Sequence, residues 1–341
     1  MWSWSEAELR RLGRFLAERD LCGPAVTAQP IGDGHSNLTF LVSDGDSKIV
    51  VRRPPPPPLP PGAHDVLREA RLLSALSGTL VPAPRVLATA AAGELLDFPV
   101  VVMDFVEGAV ITESTPAARN DTRLRRRIAE SLVDTLAALH TVDWLEVGLD
   151  DFGKPDGFNA RQLRRMRSLI AEDATVPTSF APLDDWLHAH LPSESATSIV
   201  HNDFRIGNMI VDVRTGCIAA VLDWELATIG DPIADLGYLL TSYPVKGEPL
   251  VPTSAMGTAV LEPGYPGRAE LLRRYADRTR ADVSSVNWYA ALAMYKLAAL
   301  YEYSRRRFEE GIGDPYYADP GLVSSFLAAG ERLAAEESAL T

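Results

Sequence analysis

The stretch His201-Asn-Asp-Phe-Arg-Ile-Gly-Asn208, followed by Leu222-Asp-Trp-Glu225, decides how this chain is interpreted. The first part reads H-x-D-x-x-x-x-N and lies between two short apolar runs, Ser198-Ile-Val200 and Met209-Ile-Val211. A carboxylate can accept a proton from a hydroxyl, and amide and carboxylate oxygens are ligands that magnesium prefers. A surface turn followed by a chance acidic residue would explain a lone H-x-D triplet. The complete spacing between two strand-like runs favours a catalytic loop instead.

The composition indicates a globular protein with room for two substantial cores. Its 341 residues are 46% hydrophobic, and 33 basic against 46 acidic side chains give a formal charge of −13. Such an acidic chain argues against binding to nucleic acid or to anionic membranes, because both favour a basic face. Two cysteines, Cys22 and Cys217, are too few for a disulfide framework, and Cys217 is expected in the core. With no signal-like N-terminus and no membrane-length apolar run, we expect a cytoplasmic monomer or homodimer.

The first 107 residues predict a small α+β lobe. Ser5 and Glu8 have the spacing of a capping box at the start of a helix over residues 5–19. A proline run at 54–61 excludes helix and inner strand, and favours a stiff connector over a docking site for a partner. Helical spacing resumes over residues 63–76. Five strands are predicted in an antiparallel sheet, at residues 25–31, 38–42, 48–52, 85–90 and 98–106.

Beyond residue 107 the chain is predicted to form a larger, mainly helical lobe over residues 108–341. The segment 241–266, rich in proline and glycine, is expected to be the least regular part and to act as a lid or substrate-contacting segment. A motif-bearing hairpin at residues 199–223 interrupts the helices. The periodicity of apolar residues predicts helices at residues 122–140, 162–171, 183–190, 270–277, 286–308 and 320–336.

Taken in order, these features resemble the protein-kinase-like superfamily, most closely its aminoglycoside phosphotransferase and choline kinase branch. The stretches 201–208 and Val221-Leu-Asp-Trp-Glu-Leu-Ala-Thr-Ile-Gly-Asp-Pro-Ile-Ala-Asp-Leu236 are characteristic of that branch. The second, with Gly32-Asp-Gly-His-Ser-Asn-Leu-Thr39 and Val51-Arg-Arg-Pro54, is similar to the phosphotransferase domain associated with acyl-CoA dehydrogenases. The resemblance covers nearly the whole chain. It implies a two-lobed α+β fold, with a nucleotide-binding lobe at 1–107 and a catalytic lobe at 108–341.

The resemblance also assigns catalytic and metal roles. Asp203 matches the aspartate that positions the acceptor hydroxyl, and Asn208 and Asp223 match the ligands of Mg²⁺. His201 is interpreted as a residue that orients the loop, rather than as a metal ligand. Arg205 fits either a contact with the γ-phosphate or an ion pair within the loop.

Nucleotide binding is assigned to the N-terminal lobe. Arg52 occupies the position where the kinase pattern has a lysine, and Glu69 is its expected ion-pair partner. The residues of the predicted phosphate-covering loop are Gly32, Gly34, Ser36 and Asn37. The connection between the lobes, whose backbone is expected to receive the adenine, consists of Met103, Asp104, Phe105 and Val106.

Three further acidic residues and Asn202 have expected supporting roles. Asp231 and Asp235 are predicted to cap and brace the helix that follows them. Asn202, where the family more often has glycine, tolerates unusual backbone angles. Glu225 either supports the metal through water or contacts the acceptor.

The acceptor site is the part that the sequence defines least. Trp288, Tyr295 and Glu302 on the predicted helix 286–308 are candidate acceptor contacts, although helix packing explains an apolar helix equally well. The acceptor itself stays open among aminoglycosides, sugars, amino alcohols and hydroxyacyl compounds.

The function implied by the resemblance is Mg²⁺-dependent phosphoryl transfer from ATP or GTP to a hydroxyl of a small molecule. One alternative is a nucleotide-binding regulator of the same fold without turnover, which only the Arg52 departure favours. A second alternative is a metal-dependent hydrolase that uses His201, Asp203 and Asp223 as ligands. That alternative needs further histidine or aspartate ligands from elsewhere in the chain.

Overall fold

The computed structural model describes residues 4–32, 37–57, 64–116, 121–171, 175–194 and 196–335. The chain divides into two compact units. The smaller unit consists of Met1–Glu107 and Ala219–Glu225, and the larger unit consists of Gly108–Ile218 and Leu226–Thr341. The smaller unit therefore includes a short segment of the motif-bearing hairpin.

The smaller unit is built on a five-stranded antiparallel sheet with the strand order β1-β2-β3-β5-β4. Helix α1 precedes the sheet and begins at Ser5, whose hydroxyl accepts from the Glu8 N–H while the Glu8 carboxylate accepts from the Ser5 N–H. The predicted capping box is therefore confirmed. The helices and strands of the smaller unit are α1 (Glu6–Ala17), β1 (Thr27–Ile31), β2 (Leu38–Ser43), β3 (Lys48–Arg53), α2 (Val66–Leu76), β4 (Val86–Ala90) and β5 (Val100–Asp104).

The core of this unit follows from the alternation of the strands. In β2 every second side chain is buried, among them Phe40 and Val42, and these pack in one cluster with Leu12 and Leu16 of α1. The guanidinium of Arg53 is also buried there, and its central carbon lies 4.6 to 5.5 Å from three aromatic ring centres.

The larger unit is mainly helical in its described residues. Helix α9 contacts α4, α5, α6 and α10, so it forms the centre of the helical packing. A strand pair, β7 with β10, and a small sheet of β6, β8 and β9 carry the motif-bearing loop. The strands are β6 (Ala109–Val110), β7 (Ser198–Val200), β8 (Met209–Asp212), β9 (Cys217–Val221) and β10 (Thr228–Gly230). The helices are α3 (Thr122–His140), α4 (Phe158–Ile170), α5 (Ala181–Ala189), α6 (Ile233–Ser242), α7 (Pro252–Ala255), α8 (Arg268–Thr279), α9 (Val286–Glu309) and α10 (Pro320–Ala335).

This architecture confirms the predicted fold class, an α+β chain with a five-stranded antiparallel N-terminal sheet and a mainly helical remainder. In the described part of the chain, no helix combines the length and the apolar character needed to cross a membrane.

Two local predictions are wrong. Cys217 is exposed rather than buried, because it is the first residue of β9 and the alternation of that strand turns Ile218 and Ala220 inward instead. The segment 241–266 is not the least regular part of the described residues, since it contains α7 and the 3₁₀ turn Thr258–Leu261, whereas residues 141–157 contain no helix or strand. Its prolines support this regularity, because Pro252 occupies the first turn of α7.

Candidate active site

The stretch 201–208 connects β7 to β8 and ends in the 3₁₀ turn Ile206–Asn208. We call it the catalytic loop, after the role that the sequence predicts for it. Asn202 has a φ of 64°, in the left-handed region that asparagine tolerates better than most residues. The prediction that Asn202 accepts unusual backbone angles is therefore confirmed. Its side chain also bridges two parts of the larger unit, since its amide donates to the Leu226 carbonyl at 3.0 Å and its oxygen accepts from Lys296 Nζ at 3.2 Å.

Asp235 holds the backbone of the catalytic loop. Its carboxylate is fully buried and accepts from the backbone N–H groups of His201 at 2.6 Å and Asn202 at 2.7 Å. His140 Nε2 lies 3.3 Å from the same carboxylate. Burial opposes ionisation, but the hydrogen bonds and charge interactions with His140 and His201 outweigh it and lower the pKa of Asp235.

The predictions for Asp231 and Asp235, the two acids that follow the loop, have different outcomes. Asp231 accepts from the Ile233 N–H at 3.0 Å, so the prediction that it caps α6 is confirmed. The prediction that Asp235 braces α6 is wrong, because its carboxylate points to the catalytic loop instead. A position in the first turn of a helix does not determine which neighbour a buried carboxylate will bind.

The carboxylate of Asp203 is held at both oxygens. Oδ2 accepts from Asn208 Nδ2 at 2.7 Å, and Oδ1 accepts from the hydroxyl of Tyr238 on α6. Arg205 Nε lies 3.5 Å from Oδ1, so Arg205 forms the ion pair within the loop that was one of its two predicted roles. The Asp203 side chain keeps 20% of its surface exposed, which leaves room for another hydroxyl to approach.

His201 is buried beneath the catalytic loop. Its Nδ1 accepts from the Asp203 N–H at 3.2 Å, and its ring meets the Phe204 ring edge-on. These are the contacts that a loop-orienting residue makes. Among the residues that the structure describes, no three His, Cys, Asp or Glu side chains are grouped to hold a metal ion.

In the smaller unit, Arg52 of β3 is the centre of an acidic cluster. Its Nη1 donates to Glu69 Oε1 at 2.8 Å, and its Nη2 donates to Asp223 Oδ1 at 2.9 Å. Glu225 Oε2 lies 3.9 Å from Nη2. Glu69 is 4% exposed, and this burial raises its pKa to about 7, although the charge of Arg52 opposes the shift.

Asp223 has a φ of 65°, a conformation that costs a non-glycine residue of order 1 kcal/mol and often marks functional positions. Nearby, Asn37 Nδ2 donates to Glu225 Oε2 at 3.3 Å, so the end of the predicted phosphate-covering loop is tied to this cluster. Gly32 has a φ of 84°, which glycine adopts without strain. Gly34 and Ser36 of the predicted loop lie outside the described residues.

The predicted adenine-contacting segment begins inside β5. Met103 is buried and pairs with Val50, while the Asp104 carboxylate accepts from the backbone and side chain of Arg85. The Asp104 N–H donates to the Arg85 carbonyl as well. Phe105 and Val106 follow the last residue of the strand. The sheet therefore uses the backbone of Met103 and Asp104, and the next two residues lie beyond it.

The candidate acceptor contacts on α9 are engaged in the helical core. Trp288 Nε1 donates to the Leu187 carbonyl at 3.0 Å, and the Tyr295 hydroxyl donates to Asp184 at 2.6 Å. Glu302 accepts from Arg305 and Arg306 of the same helix. These contacts match the packing alternative for the three residues.

Two site residues have no counterpart in the sequence analysis, Tyr238 and Lys296. Tyr238 lies three residues after Asp235, so the two share one face of α6, but nothing in the local sequence indicates that this face meets the loop. Lys296 reaches the catalytic loop from α9, and burial lowers its pKa to about 8. No local pattern connects Lys296 with residue 202 either.

The donor chemistry of each unit suits magnesium. The amide nitrogen of Asn208 is committed to Asp203, which leaves its carbonyl oxygen as the atom for a cation. Asp223 binds Arg52 through Oδ1 alone, which leaves Oδ2. Hard oxygen donors of this kind are what Mg²⁺ takes in phosphotransferases.

The five-stranded antiparallel sheet, the helical remainder and the H-x-D-x-x-x-x-N loop define the protein-kinase-like fold of small-molecule phosphotransferases. The phosphotransferase enzyme family matches residues 27–271, so the chain belongs to this family and the predicted resemblance is confirmed.

Curated relatives and solved structures agree with this assignment. Acyl-CoA dehydrogenase family member 10 of Mus musculus is 30% identical over 270 residues, covering 78% of this chain and 25% of that protein. Family member 11 of Rattus norvegicus is 32% identical over 288 residues, covering 82% of this chain and 36% of that protein. The chain thus spans between a quarter and about two-fifths of the curated relatives that it matches.

Among solved structures, a candidate aminoglycoside phosphotransferase of Ralstonia eutropha has a TM-score of 0.78 at 27% identity, covering 94% of this chain and 98% of that one. A thermostable mutant of aminoglycoside phosphotransferase APH(4)-Ia, in ternary complex with AMP-PNP and hygromycin B, has a TM-score of 0.62 at 16% identity. It covers 94% of this chain and 98% of that one, and at this identity the likeness concerns the fold alone.

Proposed function

We propose that this protein transfers the γ-phosphoryl group of ATP or GTP, with Mg²⁺, to a hydroxyl of a small molecule. The observation that carries the proposal is the arrangement of Asp203. Its carboxylate is fixed by Asn208 and Tyr238 in a loop whose backbone is bound by Asp235. Phosphoryl transfer depends mainly on positioning, because little covalent chemistry is left for the protein to perform. Asp203 then orients the acceptor hydroxyl and receives its proton, and Arg205 steadies the carboxylate or the γ-phosphate.

The nucleotide is proposed to bind in the smaller unit. Arg52 pairs with the α- and β-phosphates while Glu69 holds its guanidinium, as lysine and glutamate do in the kinase pattern. Gly32 and Asn37, with Gly34 and Ser36, cover the phosphates, and the backbone of residues 103–106 receives the adenine. The regulator alternative was favoured only by Arg52. Since Arg52 makes the expected pair with Glu69, that alternative keeps no supporting observation.

Asn208 and Asp223 are the proposed Mg²⁺ ligands, each through the oxygen that its protein partners leave available. When bound, the ion neutralises charge on the phosphate oxygens. Glu225, tied to Asn37, supports this region rather than the acceptor. We further propose a cytoplasmic monomer or homodimer, in line with the acidic charge and the few cysteines.

The acceptor is proposed to be a hydroxylated metabolite, such as a hydroxyacyl derivative, rather than an antibiotic. The support comes from the curated relatives, which are named as acyl-CoA dehydrogenase family members. The aminoglycoside complexes are too distant in sequence to carry their substrates over to this chain.

The test is nucleotide consumption by the purified protein with MgATP or MgGTP over a panel of hydroxyacyl-CoA compounds, sugars, amino alcohols and aminoglycosides. Asp203→Asn is expected to lower turnover by about 100-fold or more, since positioned proton acceptors contribute roughly 10²–10⁴. Asp185→Asn is the matched control, because Asp185 is an exposed acid on α5 in the same unit. Full activity of Asp203→Asn would refute the proposal, and MgATP binding without turnover on any compound would favour the regulator. Phosphorylation of aminoglycosides alone would refute the proposed acceptor class.

A further inference from the structure

Tyr238 is a buried tyrosine whose hydroxyl contacts the reactive group of the catalytic loop. It lies on α6 and is 8% exposed, and its hydroxyl donates to Asp203 Oδ1. The opposite oxygen of the same carboxylate accepts from Asn208 Nδ2 at 2.7 Å. The two donors therefore fix the carboxylate from both sides, and Tyr238 is the one of them that comes from outside the loop.

We propose that Tyr238 is a positioning residue for phosphoryl transfer, a role that rests on the proposed function of Asp203. Its hydroxyl holds the Asp203 carboxylate in one rotamer, in which the carboxylate accepts the proton of the acceptor. A carboxylate oxygen has two lone pairs, so Oδ1 can keep the Tyr238 bond while it accepts from the acceptor hydroxyl.

Tyr238 acts as a fixed donor rather than as a proton relay. Burial, followed by the neighbouring charge and hydrogen bond of Asp203, raises the pKa of Tyr238 well above its ordinary value. The hydroxyl therefore keeps its proton throughout the range in which the enzyme works. The proton removed from the acceptor is received by Asp203, and Tyr238 changes only how readily that happens.

The position of Tyr238 is fixed independently of the loop. α6 packs against α9 at Gly237, where an added Cβ would lie 2.7 Å from the Ala290 nitrogen. Tyr238 and Asp235 are on one face of this helix, so one rigid element holds both the backbone of the loop and the carboxylate at its centre.

The test uses MgATP with water, or with a panel compound that is turned over, as the acceptor, and follows nucleotide consumption over a range of MgATP concentrations. Tyr238→Phe removes one oxygen atom. We expect turnover to fall by about 10- to 100-fold, with the KM for MgATP changed by less than about threefold. Tyr243→Phe is the matched control, since this buried tyrosine at the end of α6 donates only to the Pro266 carbonyl.

A second variant tests the hydroxyl separately from the rest of the side chain. 3-Fluorotyrosine at position 238 keeps the hydroxyl donor, so its turnover should stay within about threefold of wild type, unlike that of Tyr238→Phe. A purely structural tyrosine would lower thermal stability in Tyr238→Phe without a selective loss of turnover.

The two proposals fail in different ways. If Asp203→Asn abolishes turnover while Tyr238→Phe behaves like Tyr243→Phe in turnover and in KM, the positioning role is overturned and the phosphotransferase stands. If Asp203→Asn keeps the wild-type rate, or the wild-type protein turns over neither water nor any compound of the acceptor panel, the proposed function is overturned, and with it the role that Tyr238 serves.

Discussion

Arg52 illustrates how arginine, in place of the lysine of the kinase pattern, changes the chemistry of one position. Lysine has one charged nitrogen, whereas the guanidinium of Arg52 reaches Glu69 with one nitrogen and Asp223 with another. A single cation thereby pairs with two acids within the smaller unit. The sequence alone predicted the pair with Glu69 from the order of the motifs. It did not predict the second pair, which depends on how the segment 219–225 folds onto the sheet unit.

The charge of Arg52 should therefore control stability in a pH-dependent manner. Burial raises the folded-state pKa of Glu69 from 4.5 to about 7, so the folded protein binds this proton more tightly than the unfolded chain does. Stability from this group is present at low pH and is lost as pH rises through the folded pKa. Arg52→Met removes the charge that opposes the shift, so the pKa of Glu69 rises further.

We expect Arg52→Met to lower the free energy of unfolding by about 3–5 kcal/mol at pH 8, because the buried Glu69 must then either stay ionised without a partner or bind a proton that the unfolded chain does not bind at this pH. At pH 5 the loss should be smaller by at least about 1 kcal/mol, because Glu69 is protonated in both proteins. Urea unfolding at the two pH values measures this difference.

The control is Arg53→Met in the same strand. The guanidinium of Arg53 contacts aromatic rings, so this variant should lose a similar free energy of unfolding at both pH values. An equal loss for Arg52→Met at pH 5 and pH 8 would contradict the account.

At the scale of elements, α6 organises the catalytic loop, and the sequence predicted only part of this. The apolar periods located the long helices well, and α3 begins and ends where its spacing indicates, at Thr122 and His140. α6 was recognised only as a helix that Asp231 caps. Its contacts to the loop through Asp235 and Tyr238 join residues more than 30 positions apart, and helical periodicity carries no information on such distant partners.

Gly237→Ala tests whether the close packing of α6 against α9 matters for activity. An added Cβ would lie 2.7 Å from the Ala290 nitrogen and 2.8 Å from the Tyr289 carbonyl carbon, and backbone atoms cannot rotate away. We expect a net loss of about 2 kcal/mol in stability, since overpacking exceeds the helix-propensity gain of alanine. Turnover should fall as well, because the shift of α6 displaces Asp235 and Tyr238.

Gly330→Ala is the matched control on α10. Its added Cβ would meet Leu183 Cδ2 at 2.5 Å, the free end of a side chain that can change rotamer. We expect a stability change within about 1 kcal/mol and unchanged turnover. Unfolding curves and phosphate release for the two variants provide the comparison. Equal turnover in both would indicate that the catalytic loop tolerates movement of α6.

For the molecule as a whole, the sequence predicted the class of protein better than the surroundings of its site. Motifs such as 201–208 have fixed spacing because the chemistry needs it, so they are visible in one chain. The packing roles of Trp288 and Tyr295 were open for the opposite reason, since an aromatic side chain on an apolar helix has the same pattern whether it lines a site or a core. The error at Cys217 is of this kind, because an apolar run does not specify which of its residues are buried. The error in the segment 241–266 has another cause, since proline and glycine content does not exclude short helical turns.

Nucleotide binding should raise the free energy of unfolding of the chain, and this rise reports binding without requiring turnover. A ligand at about 100 times its Kd adds roughly 2.7 kcal/mol to stability, which for a chain of this length raises Tm by about 3–5 °C. We expect this increase with MgATP and a smaller one with ATP and EDTA, because Asn208 and Asp223 are proposed to contact the nucleotide through the ion. Asp203→Asn should keep the MgATP shift, since its carboxylate is proposed to serve the acceptor, while Arg52→Met should lose most of it. Differential scanning fluorimetry of the three proteins measures these shifts. An equal MgATP shift in Arg52→Met and wild type would place the phosphates elsewhere, and its loss in Asp203→Asn would assign that carboxylate to nucleotide binding instead.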